Sequence, residues 1–422
     1  MTDNIQQIGE DLYVLKGVGA VVEFAGGKGQ DVNFGAQSAL KSGGLEIAPW
    51  GASNLQPQEM LKLVFNNHLK PQLLLTSRDF LLGSRLGIFT RQIVAGKLVL
   101  EPVLDREMEE WLELIDADFV LASSAMNLEY FGNYFTAFSL DGASSVGDMV
   151  PFDAPTVRAA VTTARRPEKY HLHPDWANFK ASEVKTLPAY DRRNPARYGD
   201  FIYHGRDWTP GQKYYDSTAW WGTRKWTEVS NKIPKYHSSG LDNGYNVKYH
   251  IKIPKDYFLQ FGDAKAQAKA EKELMENMNT MLAGVDNVDK AFVSKFGVDA
   301  QGKSLPGWEI VPIENKMTDK AYDSVNNQAN IAHTSGHGID PSLAGIDTGS
   351  KMGGSGSEKR ISYQLHIALR TPVKRRILLG QFEAAKKIMG FNPEHVFGFE
   401  DIDIVTIAEN PTGKQKTVNQ SM

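Results

Sequence analysis

Residues 263–282 read DAKAQAKAEKELMENMNTML. Alanine, lysine, glutamate, glutamine, leucine and methionine dominate the stretch, and these are the strongest helix formers, so a helix is predicted over 263–282. Ala264, Ala266, Ala268 and Ala270 alternate with polar residues, and Leu274, Met278 and Met281 then mark one thin apolar line. A helix with so narrow an apolar face stays mostly in water or packs only against like neighbours.

Upstream, Ser217 to Lys232 reads as a second helix, with Ser217 as cap, Trp221, Trp226 and Val229 on one face, and Pro234 as its stop. Asn243-Gly244 is a turn signal, and Tyr245, Val247, Tyr249 and Ile251 alternate with polar residues as a short strand. Downstream, Phe292–Phe296 and Trp308–Ile313 bracket an Asp-Ala-Gln-Gly turn and read as a hairpin. A helix follows over 318–334, with Ala321, Val325, Ala329 and Ala332 three or four apart. Residues 335–357 are a glycine-rich loop, and such long loops are functional or disordered. A helix over 358–389 is bent or divided at Pro372, 395–410 reads as a final strand, and the tail past Pro411 is expected to be disordered.

In the N-terminal half, residues 15–45 are rich in glycine, alanine and serine and read as an extended, weakly structured arm. From Pro57 a helical pattern carries Met60, Leu61, Val64, Phe65 and Leu69, and Gly83 and Gly87 mark a turn. Arg91–Glu101 alternates as a strand pair around Ala95-Gly96. Met108, Trp111, Leu112 and Ile115, then Phe119, Leu121 and Ala122, define a strong helix over 106–126, and Tyr130–Phe135 opens an aromatic strand. One α+β unit is expected over 50–165. Five of the eight tryptophans (Trp176, Trp208, Trp220, Trp221, Trp226) crowd 166–255. There they are expected to fill thin, loop-rich structure and subunit contacts, with a stacking platform for bases as the other reading.

The 422 residues suit two or three domain-sized units, and 41% hydrophobic with 23% charged residues is a globular balance. Forty-seven basic against 50 acidic residues give a net charge of −3, the wrong sign for a wide basic face on phosphate backbones. The absence of cysteine excludes disulfides, thiolate metal sites and cysteine nucleophiles. Met1–Asp11 lacks the pattern of a signal peptide and no apolar run approaches a membrane span, so a soluble intracellular protein is expected.

His333 and His337 have the spacing of a helical metal pair, but Gly336 and Gly338 are expected to break that helix. His171 and His173, with Asp175 nearby, are expected to be packed or surface imidazoles. No metal, cofactor or catalytic set can be nominated. Gly353–Glu358 opens a helix, so its amides could hold an anion, while Ser357 could equally be a cap. Lys374, Arg375 and Arg376, with Lys386 and Lys387, form the densest basic cluster, expected as a solvated face or a nucleic-acid contact.

The order of these elements resembles the portal proteins of tailed phages. Leu81-Leu82-Gly83 and helix 106–126 leading into Tyr130-Phe131-Gly132-Asn133-Tyr134-Phe135 are similar to the portal wing. Tyr215–Ile233, Pro234–Pro254 and Asp263–Leu282 resemble two stem helices flanking a clip. Gly307–Ile313 with helix 318–334 resembles the stretch ahead of the channel, and His337–Gly345 is similar to the portal (F/I)G(V/I)(P/D)PxLLG segment, although 166–212 is a long insertion and Asp340 stands where many portals carry proline. The resemblance implies an α+β portal-like fold with an α/β wing, two-helix stem, small β clip and helical crown. Its boundaries are a flexible arm at 1–49, the wing at 50–212, the first stem helix at 213–233 and the clip at 234–256. The second stem helix takes 257–284, the wing return and channel loop 285–357, the crown 358–410 and the disordered tail 411–422. It implies a virion subunit at a capsid vertex, assembled in the host cytoplasm, and not an enzyme. It further implies a homo-oligomeric ring, a dodecamer, passing double-stranded DNA during packaging and ejection. The implied partners are the terminase large subunit, the major capsid protein and a head–tail adaptor, with no membrane. Lys265, Lys269, Lys272 and Lys351 become channel candidates, and Tyr236, Leu241, Asn243, Tyr245 and Tyr249 motor-docking candidates. The competing expectation is an enzyme acting on nucleic acid or nucleotide through the 353–358 loop.

Overall fold

The structure, a computed structural model, describes residues 5–7, 12–15, 20–23, 39–142, 145–195, 199–243, 249–253, 257–282, 309–312, 319–346, 356–403 and 416–419. The N-terminal segment expected as an arm carries short strands. β1 (Ile5–Gln7), β2 (Leu12–Leu15) and β3 (Ala20–Glu23) form an antiparallel meander, and β4 (Leu40–Ser42) and β5 (Leu45–Ile47) form a hairpin. Short strand-forming runs such as Leu12–Leu15 and Ala20–Glu23 win locally over the backbone freedom of the glycines around them.

The periodic run from Pro57 divides into α1 (Gln56–Phe65) and α2 (Lys70–Leu82), because the Asn67 carboxamide oxygen accepts from the Leu69 and Lys70 amides and starts a new helix. The expected hairpin is present as β6 (Arg85–Val94) and β7 (Lys97–Pro102). The single helix expected over 106–126 is two, α3 (Arg106–Leu114) and α4 (Ala117–Phe131). Asp116 separates them in a left-handed conformation, φ 50°, with its carboxylate accepting from the Phe119 amide. α4 runs through Tyr130-Phe131 to a left-handed Gly132, so the aromatic strand β8 (Asn133–Leu140) starts at Asn133.

β9 (Val146–Phe152) pairs with one side of β8; β10 (Val157–Ala159), β11 (Lys169–Leu172) and β12 (Lys185–Pro188) form a separate small sheet; β13 (Phe201–Arg206) pairs with the other side of β8. The sheet β13-β8-β9 divides two cores. Tyr134 and Phe138 face a core with Trp111, Val120, Leu128 and Phe201, whereas Phe135 and Ala137 face one with Trp50, Met60, Leu74, Tyr170 and Trp220. That alternation follows from the period of two along a strand.

Beyond a 3-10 turn (Ala219–Thr223), the remaining elements are α5 (Arg224–Asn243), β14 (Tyr249–Lys252), α6 (Ala264–Leu282) and β15 (Glu309–Pro312). They continue with α7 (Asp319–His337), α8 (Gly356–Arg370), α9 (Pro372–Met389), β16 (His395–Asp403) and β17 (Lys416–Asn419). The division at Pro372 is as expected. Residues 358–410, expected as the crown, pack against the N-terminal half. Leu378, Phe382, Ala385 and Phe397 lie in the same core as Trp111 and Leu128, and β16 pairs with β6. Leu378, Phe382 and Ala385 recur at helical spacing, so α9 buries one face there. The tail is corrected: β17 pairs with β16, whose edge offers unpaired backbone groups.

Candidate channel and docking surfaces

α5 passes through Pro234, which was expected to end it. An interior proline costs a helix about 3 kcal/mol, and packing before it offsets that. Thr227 and Ser230 are fully buried, Asn67 Nδ2 donates to Ser230 Oγ (3.2 Å) and Asn231 Oδ1 (2.8 Å), and Asn231 Nδ2 donates to the Leu63 carbonyl (2.9 Å). Tyr236, Leu241 and Asn243 therefore sit on α5. Tyr249 begins β14, which pairs with β15 so that Tyr249 lies opposite Pro312 and Lys252 opposite Glu309. The strand expected at 308–313 thus pairs with 249–252; its expected partner 292–296, Tyr245 and Lys351 lie outside the described residues.

Asp263 caps α6, its carboxylate accepting from the Ala266 amide at 2.8 Å. From Ala264 to Glu276 no side chain is buried, and only Gln267, Ala270 and Leu274 are half-buried. Those three fall at i, i+3 and i+7; of the expected line Leu274, Met278 and Met281, Leu274 is among them, and the side chains of the other two lie outside the described residues. Lys265, Lys269 and Lys272 are exposed, and Lys269 faces Glu273 at 3.8 Å and Lys272 faces Glu276 at 3.9 Å. Such exposed pairs contribute about 0.3–0.5 kcal/mol each. The surface of α6 is charge-balanced and holds no strong phosphate grip.

The basic cluster 374–387 comes apart in three dimensions. Arg375 is buried and forks onto Asp401 with contacts of 2.8 and 2.5 Å. Lys374 pairs with Glu129 at 2.6 Å, and Lys386 pairs with Glu383 at 3.0 Å and donates to the His395 carbonyl. Arg376 and Lys387 alone remain exposed, so the cluster is not one solvated or nucleic-acid-facing run.

The histidines also differ from expectation. Gly336 does not break α7: a Cβ there would lie 2.6 Å from Thr223 Cγ2, so the glycine lets α7 approach the 3-10 turn. His333 and His337 consequently share one helix, but what lies beside them is Lys70, not a metal ligand. Lys70 is fully buried, with Nζ 3.3 Å from His337 Nε2, 3.4 Å from Thr223 Oγ1 and 4.4 Å from the Trp220 ring centroid. Burial lowers its amine to about 7. Burial, then the Lys70 charge, lowers His333 to about 3 and holds His337 well below its ordinary value. Both His333 ring nitrogens are buried without a hydrogen-bond partner among the described residues. This cluster escaped the sequence reading, since nothing local marks Lys70 as buried; Pro71 and the helical pattern around it were the only signal. His171 Nδ1 bonds Thr186 Oγ1 at 2.8 Å and His173 Nδ1 accepts the Asp175 amide, as packed imidazoles do. Among the described residues no cluster of three ligand-type side chains could hold a metal, and no helix is long and apolar enough to cross a membrane.

No protein-family model matches the chain, and no curated protein does. Solved structures do. A chain from the neck of an empty gene transfer agent particle is 11% identical, with 81% of this chain and 84% of that one covered and a TM-score of 0.52. A chain from the neck of the native particle, computed with C12 symmetry, gives 12%, 81%, 83% and 0.52. One from the virion of the native particle gives 11%, 88%, 88% and 0.52. An HK97-family phage portal protein from Corynebacterium diphtheriae also matches, at 10% identity over 78% of this chain and 91% of that one, but its TM-score of 0.36 is too low to carry an argument. At such identities the likeness is one of fold. The chain has the α+β fold of a particle-neck chain, and the portal resemblance read from the sequence points the same way.

Proposed function

We propose that this chain is the subunit of a portal ring, the connector at a capsid vertex through which double-stranded DNA is packaged and ejected. The observation that carries the reading is α6: a 19-residue helix with no buried side chain from Ala264 to Glu276, in a fold shared over most of its length with particle-neck chains. Such a helix gains its burial from copies of itself, and the C12 symmetry of one neck match supports a dodecamer. A charge-balanced helix suits a bore in which duplex slides, because each neutralised phosphate adds affinity and salt dependence. In this reading Lys265, Lys269 and Lys272 line the bore, Lys351 is a further channel candidate, and the region from Tyr236 to Tyr249 docks the terminase large subunit. The major capsid protein and a head–tail adaptor bind elsewhere on the ring. The role is structural and not enzymatic.

Electron microscopy of the purified chain tests this. Closed rings are expected. Monomers across protein and salt concentrations would refute it.

A further inference from the structure

A groove of about 640 Å³ lies beside the edge strand β13, between α9 and the loops at 165–167, 190–192 and 208–213. α9 approaches closely there, since a Cβ on Gly380 would meet the Tyr203 hydroxyl. Arg165, Arg166, Arg192, Arg376 and Lys387 line the groove, are exposed, and form no ion pair among the described residues. Arg206 and Lys213 also line it but are committed, the first to Asp216 and the second to the Thr162 carbonyl. Glu383 is the only acid in the lining, and Lys386 already holds it. Five uncompensated cations around one cavity attract a polyanionic partner. Trp208, 73% exposed at the same groove, adds an apolar contact.

The complementary surface is on this chain. Residues 105–118 carry seven acids and one arginine. Glu107, Glu110, Glu113 and Asp118 are exposed on the corner of α3 and α4 and form no ion pair among the described residues. The same corner exposes Leu104 (86%), Leu114 (72%) and Phe119 (59%), apolar surface that a solitary acidic helix has no reason to present.

The two surfaces stand at opposite edges of one sheet. The sheet order is β13-β8-β9, the groove lies on β13, and α3 is fixed at β9, where the Trp111 indole donates to the Val146 carbonyl at 3.1 Å. Complementary patches on opposite edges make a head-to-tail contact, the kind that closes into a ring when the rotation allows. We propose that the acidic, apolar corner of α3 and α4 in one copy seats in the basic groove beside β13 of the next copy. The proposal rests on the ring reading and supplies its subunit contact. A phosphodiester would satisfy the groove's charge but would leave the apolar corner and its position unexplained.

The test uses the full chain in three variants: Arg376→Glu with Lys387→Glu, Glu110→Lys with Glu113→Lys, and all four together. Ring formation is followed by native mass spectrometry at about 0.15 M salt, where exposed charges still act over about 8 Å, and folding by thermal melts. Each double variant is expected to melt like the wild type while assembling at least about tenfold more weakly, since like charges now face each other. The fourfold variant, with both charges exchanged, is expected to regain rings. Double variants that assemble as the wild type does, or a fourfold variant that does not recover, would overturn the contact and leave the ring reading standing. Wild-type chains that never form rings would overturn both. Binding of a labelled oligonucleotide is measured alongside: normal assembly with lost oligonucleotide binding in the groove variant would reassign the groove to phosphodiester and also overturn the proposal.

Discussion

Replacing Lys70 by methionine is expected to stabilise the protein in mild acid and to leave it near the wild type in mild base. Lys70 is fully buried in the first turn of α2, with no carboxylate paired to it among the described residues, and its amine is lowered from 10.5 to about 7 by burial. A cation in the first helical turn also opposes the helix dipole. At 1.36 kcal/mol per unit, a fall of about 3.5 units corresponds to roughly 5 kcal/mol against the folded state when the unfolded lysine is charged. The sign is that of a depressed folded value. Stability is fully present above 10.5, declines as pH falls, and its loss is complete below about 7. At pH 9 about 2 kcal/mol has been lost, and at about pH 6 the whole of it. Methionine keeps the length of the stem and does not titrate, although it forgoes the bond to His337 and the Trp220 contact, together about 1–3 kcal/mol. Urea unfolding followed by tryptophan fluorescence at the two pH values gives the stability difference between variant and wild type. That difference is expected to be larger by about 3 kcal/mol at the lower pH. A difference equal at both pH values within about 0.5 kcal/mol would refute the assignment of Lys70 as a buried, burial-shifted amine.

Three further outcomes are expected. Asp401→Asn removes the carboxylate charge onto which the buried Arg375 guanidinium forks and should cost about 3–5 kcal/mol; a melt unchanged from wild type would deny that this pair ties α9 to β16. Gly380→Ala places a methyl against the Tyr203 hydroxyl and should cost about 1–3 kcal/mol, largely recovered by adding Tyr203→Phe; no recovery in the double variant would place the strain elsewhere. Lys269→Glu exchanges one weak exposed pair with Glu273 for a repulsion, so the melt should move by no more than about 0.5 kcal/mol while DNA packaging slows; collapse of the rings would make Lys269 a structural residue.

Local pattern carried much of the fold. The β6–β7 hairpin, the thin line of α6, the break at Pro372 and the Trp111 side of the first core could be read from spacing, because backbone period and side-chain polarity are set within a few residues of one another. The candidate surfaces were only partly legible. Lys265, Lys269 and Lys272 are exposed as expected, but the cluster at 374–387 is divided, with Lys374 tied to Glu129 and Arg375 to Asp401, acids outside the cluster.

The sequence by itself determined where the main helical runs and the β6–β7 hairpin lie, and that α6 has too little apolar surface to bury alone. Only the tertiary structure decided that α5 survives Pro234, that Gly336 serves a close packing of α7, that α9 and β16 complete the first core, and that Lys70 is dry. The physical reason is range. A proline or a glycine sets a local conformational cost, and a lysine sets a charge, but whether each is tolerated depends on neighbours brought near by the fold from more than 100 residues away, as with Gly336 and Thr223 or Lys70 and Thr223.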